Sequence, residues 1–201
     1  MTRTSFAAAV VLLGCGSAQV SLDGGGASGD YDAVLDAWTR EVGVTGEGFE
    51  NALTGSATYR SWQFREAWVN RFAADHQLPP ARKDELAQSE RAAHEAAHEF
   101  LFSGYAGDRR SLDLGTDQSA WRVALVTDSG SHAEPSGFEE IRRPSSSTRA
   151  YYPYVTTNRM TYVIRFPRDV AGRPVLPPGT KWFALRFDGP RGHAEMKWEI
   201  E

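Results

Sequence analysis

On both sides of a four-residue link, the stretch from Phe183 to Ile200 places apolar residues at every second position, and this pattern constrains the fold more than any other stretch. Phe183, Leu185 and Phe187 lead into the link Gly189-Pro-Arg-Gly192, and Ala194, Met196, Trp198 and Ile200 follow it. A period of two on both sides of a short Gly/Pro link predicts a β-hairpin. His193, Glu195, Lys197 and Glu199 fall on the opposite face, so one side of the sheet meets water, as in antiparallel sheets.

The same period marks two earlier segments. Trp121, Val123 and Leu125 alternate with Arg122, Ala124 and Val126, and Tyr162, Ile164 and Phe166 line one side of 161–166. Residues 138–142 predict another strand, and Pro144 to Arg149 a polar loop. Upstream of residue 105 the period reads as helical. Asp30 can cap a helix presenting Tyr31, Val34, Leu35, Trp38 and Val42, with Gly43 as its stop. Residues 43–57, rich in Gly, Thr and Ser, read as a loop. A second helix is predicted from Ser61 to before Leu78-Pro79-Pro80, and a third from Pro80 to Ser103, with Gly104 as its stop. The expected architecture is therefore α+β: three N-terminal amphipathic helices (about 30–105) followed by a small antiparallel sheet or sandwich (about 120–201). All of it belongs to one domain over 30–201. With 41% hydrophobic residues, 201 residues suffice for one good core. A net charge of −4 provides no basic footprint, so nucleic acid is not an expected partner.

The first residues predict export. Arg3 precedes eight apolar residues, Phe6 to Leu13, too short a run for a bilayer span of ~20 residues but suited to a signal peptide. Leu12-Leu13-Gly14-Cys15 resembles the lipobox of bacterial lipoproteins. That resemblance implies cleavage of residues 1–14 and acylation of Cys15, the only cysteine. It also implies a membrane partner through the lipid and a location in the cell envelope. Gly16, rather than an aspartate, favours the outer over the inner membrane by the same resemblance. Residues 15–29, with Asp23-Gly-Gly-Gly-Ala-Ser-Gly29, read as a flexible tether. The Asp108-Arg-Arg, Trp121-Arg-Val, Tyr152-Pro-Tyr-Val and Arg165-Phe-Pro segments and the Gly189-Pro hairpin are similar to a group of bacterial lipoproteins. That similarity covers about residues 60–198 and implies no activity.

The chemistry-bearing candidate is His94-Glu95-x-x-His98, late in the third expected helix. On a helix this spacing puts two imidazoles on one face beside a carboxylate, as in zinc hydrolases. The extended patterns do not follow: Glu99, Leu101 and Gly104 stand where zincin families place an uncharged residue, a glycine and a histidine. A catalytic zinc needs a third ligand, and none has diagnostic spacing. The competing account is a solvated helix face with Glu90–His94 and Arg91–Glu95 pairs at i, i+4. Tyr151, Tyr152 and Tyr154 form either a docking loop or the closed end of a core. Asp108-Arg109-Arg110 suits either an anion or a salt bridge between the two halves. The leading expectation is a non-enzymatic binding or structural module of the envelope, without a cofactor and with envelope proteins as candidate partners. The alternative is a zinc-dependent hydrolase with His94 and His98 as ligands and Glu95 as base.

Overall fold

Asp30 and Ser61 open helices as their residue types dictate. The Asp30 carboxylate accepts from the Asp32 N–H, and the Ser61 hydroxyl from the Phe64 N–H. The computed structural model describes residues 20–22, 30–45 and 51–200. Helix α1 is Tyr31–Trp38, followed by strands β1 (Thr39–Thr45) and β2 (Asn51–Tyr59). Helices α2 (Trp62–Asp75) and α3 (Pro80–Ala96) lead into β3 (Ala97–Tyr105) and a 3₁₀ turn (Arg109–Leu112). Then come β4 (Arg122–Thr127), β5 (His132–Ala133), β6 (Gly137–Glu140), α4 (Ser146–Tyr151) and β7 (Met160–Pro167). Two short strands, β8 (Asp169–Val170) and β9 (Arg173–Pro174), precede the hairpin of β10 (Trp182–Gly189) and β11 (Gly192–Glu199).

The expected order of three helices and then strands is overturned. Among the described residues the chain is mostly β, with two main antiparallel sheets ordered β1-β2-β3-β7-β6 and β11-β10-β4-β5, a two-stranded ribbon β8-β9, and four short helices. Strands β1, β2 and β3 lie where a helix end, a loop and a helix were expected. The reason is physical. β3 is buried on both faces, so Phe100, Leu101 and Phe102 show no wet/dry alternation, while Ala97, Phe100 and Gly104 fit a helical stripe by coincidence. β2 is built from small residues because a large ring lies over it. A Cβ on Gly55 would stand 2.5 Å from the Phe102 ring, and its cross-strand partner Gly104 lies under that ring too. The polar stretch 144–149 also departs from expectation, since Ser145 caps α4 there.

The sheets face each other through aromatic side chains. Tyr59 meets Phe183 at 5.0 Å between ring centres, Phe102 meets Phe187 at 4.9 Å, and Phe100 meets Trp198 at 5.4 Å. Trp198 also stacks on Phe183 and donates from Nε1 to the Trp38 carbonyl. Along one side Arg40 of β1 donates to the Lys197 carbonyl of β11, linking the edges of the two sheets. Val20, within the expected tether, is buried and donates its N–H to the Glu199 carbonyl. On its outer face the larger sheet is covered by the helices and by residues 152–159. There the Tyr154 hydroxyl lies 2.7 Å from Thr58 Oγ1 and donates to the Leu101 carbonyl.

The terminal hairpin forms as its alternation dictates, with Ala194, Met196 and Trp198 inward. Trp198→Ala is expected to lower unfolding free energy by about 3–5 kcal/mol in chemical denaturation, because it removes a fully buried indole. Glu199→Ala on the wet face should move it by under about 0.5 kcal/mol. Equal effects of the two substitutions would contradict this placement of the core.

Candidate functional site

Helix α3 stops without glycine or proline. Ala97 turns extended (φ −157°, ψ 158°), its N–H still bonded to the Ala93 carbonyl, and the chain runs directly into β3. The His94-Glu95-x-x-His98 motif is thereby divided. His94 sits in the last turn of α3, Glu95 is exposed on the helix, and His98 is buried on the strand. The imidazoles do not share a helical face. Among the described residues no group of three or more His, Cys, Asp or Glu side chains is arranged to hold a metal ion.

On a strand, neighbours point to opposite faces. His98 continues the inward row of Phe100 and Phe102, and Glu99 enters the outer face under the helices. Glu99 is only 4% exposed and is held by arginines. Arg60, just beyond β2, donates from Nη1 to its Oε1. Arg165 of β7 donates from Nε to its Oε2 at 3.3 Å. Arg65 of α2, fully buried, brings Nη2 within 3.5 Å of Oε2 and donates from Nη1 to Glu90 of α3. Arg60 also grips Glu90, at 2.9 and 3.1 Å. Burial alone would push the Glu99 carboxyl up, but Arg60, Arg65 and Arg165 hold it below the usual carboxylate range.

On the other face, His98, Tyr59 and Arg168 meet at the end of the sandwich. The Tyr59 hydroxyl lies 2.9 Å from His98 Nδ1, and Arg168 Nη1 lies 3.2 Å from the same nitrogen. A guanidinium can only donate, so Nδ1 accepts and the ring proton sits on Nε2. Arg168 Nη2 donates to the His94 carbonyl. His94 Nδ1 and Arg168 Nε are buried without a hydrogen-bond partner. These side chains line a cleft of about 290 Å³, closed by Ser21 and Leu22, the loop 176–180 and Ile200. Burial, reinforced by Arg168, pushes His98 down to about 3 and His94 down to about 4, so both rings are neutral at physiological pH. Burial raises the Tyr59 phenol to about 12, which keeps it protonated.

The remaining expected site residues are dispersed. Tyr151 and Tyr152 are buried and Tyr154 half-buried, closing the core under α1 and α2; the Tyr31 hydroxyl donates to the Tyr151 carbonyl. Asp108 caps the 3₁₀ turn, and Arg109 and Arg110 are exposed. Cys15 lies outside the described residues. Tyr59, Arg60, Arg65 and Arg168 belong to the site but carry no motif in the sequence. Glu90 and Arg165, named above as a helix-surface partner and within a segment of resemblance, join them only through the fold. No protein-family model matches the chain, and neither a curated protein nor a solved structure matches it.

Two outcomes follow from this geometry. Arg65→Met leaves Glu90 and Glu99 under-compensated in a buried setting and should cost about 3–5 kcal/mol, whereas Arg65→Met/Glu99→Leu should cost clearly less than the sum of the singles. Strict additivity in urea melts would contradict the network. The second outcome concerns pH. A histidine with a depressed folded pKa takes up its proton on unfolding, so its stabilising effect is complete above pH ~6.5 and declines as pH falls toward the folded value. His98 alone should remove about 2 kcal/mol between pH 7 and 5. His98→Gln should flatten that slope, and an unchanged slope would contradict a buried neutral imidazole.

Proposed function

We propose that this chain is a non-enzymatic ligand-binding module of the bacterial cell envelope, held to a membrane by lipid on Cys15. The observation that carries the binding part is the polar cleft between the sheets. It is formed in advance by side chains on rigid elements, Tyr59 on β2 and His98 on β3, with Arg168 just past β7. Preformed concave sites with a few fixed polar groups suit small ligands. The division of His94, Glu95 and His98 favours binding over hydrolysis. Glu95 is exposed on the helix, and His98 Nδ1 is already engaged by Tyr59 and Arg168. The apolar run ending at Leu13-Gly14-Cys15 supports the anchor. From Cys15 to the docked Val20 the chain reaches at most about 18 Å, so an acyl chain on Cys15 would hold the cleft close to a bilayer surface.

The anchor is tested by fractionating cells that express wild type or Cys15→Ser and weighing the mature N-terminus. Wild type should sediment with membranes and carry diacylglycerol at Cys15, and Cys15→Ser should lose both; a soluble, unacylated wild type contradicts the anchor. The purified protein, dialysed against a mild chelator, should retain no stoichiometric metal. One zinc per chain, lost in His94→Ala/His98→Ala, would instead favour the hydrolase.

A further inference from the structure

The cleft contains an arginine that differs from its neighbours. Arg60, Arg65 and Arg165 all rest on carboxylates, and Arg186 is bonded at 2.7 Å to Glu195. Arg168 has no carboxylate partner among the described residues. Its contacts are neutral groups, the His98 ring, the His94 carbonyl and the Tyr59 hydroxyl, and its Nε is buried and unpartnered. A half-buried guanidinium without a counter-anion is unfavourable, and an anion in the cleft would relieve this. The neighbouring imidazoles cannot offset the charge, because an imidazole is either neutral or cationic. The rest of the lining is apolar on one side: Leu22, Leu176, Pro177, Pro178 and Ile200. At about 290 Å³ the space holds a small molecule.

We propose that the cleft binds a small amphipathic acid, its carboxylate or phosphate head on Arg168 and its short apolar body against Leu176, Pro177 and Ile200. Arg168 offers the free N–H groups of its Nη nitrogens to the oxyanion, and the His98 Nε2–H is a second donor on the cleft wall. Recognition by a planar fork of donors explains an arginine here, where a lysine would supply only a point charge. This rests on the cleft being a ligand site, as proposed above, and it holds whether or not Cys15 is acylated.

The test uses the full chain carrying Cys15→Ser, titrated calorimetrically with butyl phosphate, butyrate, inorganic phosphate, n-butanol and choline. The two acids with an apolar body should bind at least about tenfold tighter than inorganic phosphate, the alcohol or the cation. Arg168→Gln should weaken them by at least about tenfold and Arg168→Lys by less, with circular dichroism and melting temperature confirming the fold. Sedimentation with phosphatidylglycerol but not phosphatidylcholine vesicles, lost in Arg168→Gln, would assign the head to a lipid. Binding of the soluble acids without sedimentation would assign it to a free acid. Equal binding of acid and alcohol, or binding untouched by Arg168→Gln, overturns the acid assignment and leaves the cleft reading intact. No binding by any probe overturns both. If only a variant with Asp23→Asn and without Glu201 binds, a carboxylate of the chain itself fills the site, and the proposal is overturned.

Discussion

The buried carboxylate of Glu99 is the constraint on which the rest of the arrangement depends. It sits under the helices with Arg60, Arg65 and Arg165 around it, and Glu90 completes the knot. Those residues come from the end of β2, from α2, α3, β3 and β7, so one cluster ties two helices to the centre of the larger sheet. Such a cluster contributes specificity more than net stability, because removing charges from water offsets much of their attraction. Its strongest effect is on register. A slip of β3 by one residue would drive Glu99 between the sheets, against Phe183 and Trp198, and put His98 and Phe100 on the side of the arginines.

With the register held, the inward row of β3 ends in His98, and the end of the sandwich becomes a polar cleft. The two faces of one strand thus carry opposite electrostatics. On the outer face charge is compensated by carboxylates within the fold. On the inner face Arg168 meets neutral groups, the His98 ring, the His94 carbonyl and the Tyr59 phenol. Both imidazoles are held neutral by burial and by that same cation, so the cleft has one fixed positive centre and several donors. Such an arrangement suits the ligand-holding role proposed above.

Legibility in the sequence followed exposure. The terminal hairpin, β4 and β7 were readable, since the hairpin has a wet face and the other two alternate large apolar residues. The starts of α1 and α2 were readable from Asp30 and Ser61. β3 was hidden because its two faces are covered and because Ala97-His98-Glu99 continues the Ala/Glu/Arg composition of α3 with no stop residue between. β2 was hidden because Gly55, Ser56 and Ala57 are small, Gly55 lying under the Phe102 ring and Ala57 opposite it across the strand. The site itself joins residues far apart in the chain, at 59–65, 90–99 and 165–168, and the one visible motif drew attention to a helical geometry that does not exist. The pairing of Arg168 with His98 depends on a strand register no local pattern encodes.

The most direct test is the backbone conformation of residues 90–105, read from NMR Cα and Cβ shifts with amide hydrogen exchange. The helical signature should end at Ala96, and Ala97 to Tyr105 should show extended shifts with slow exchange and cross-strand NOEs from Phe100 to Ile164. A helical signature continuing through His98 to Ser103 would place both imidazoles on one helix face and contradict the account at its root.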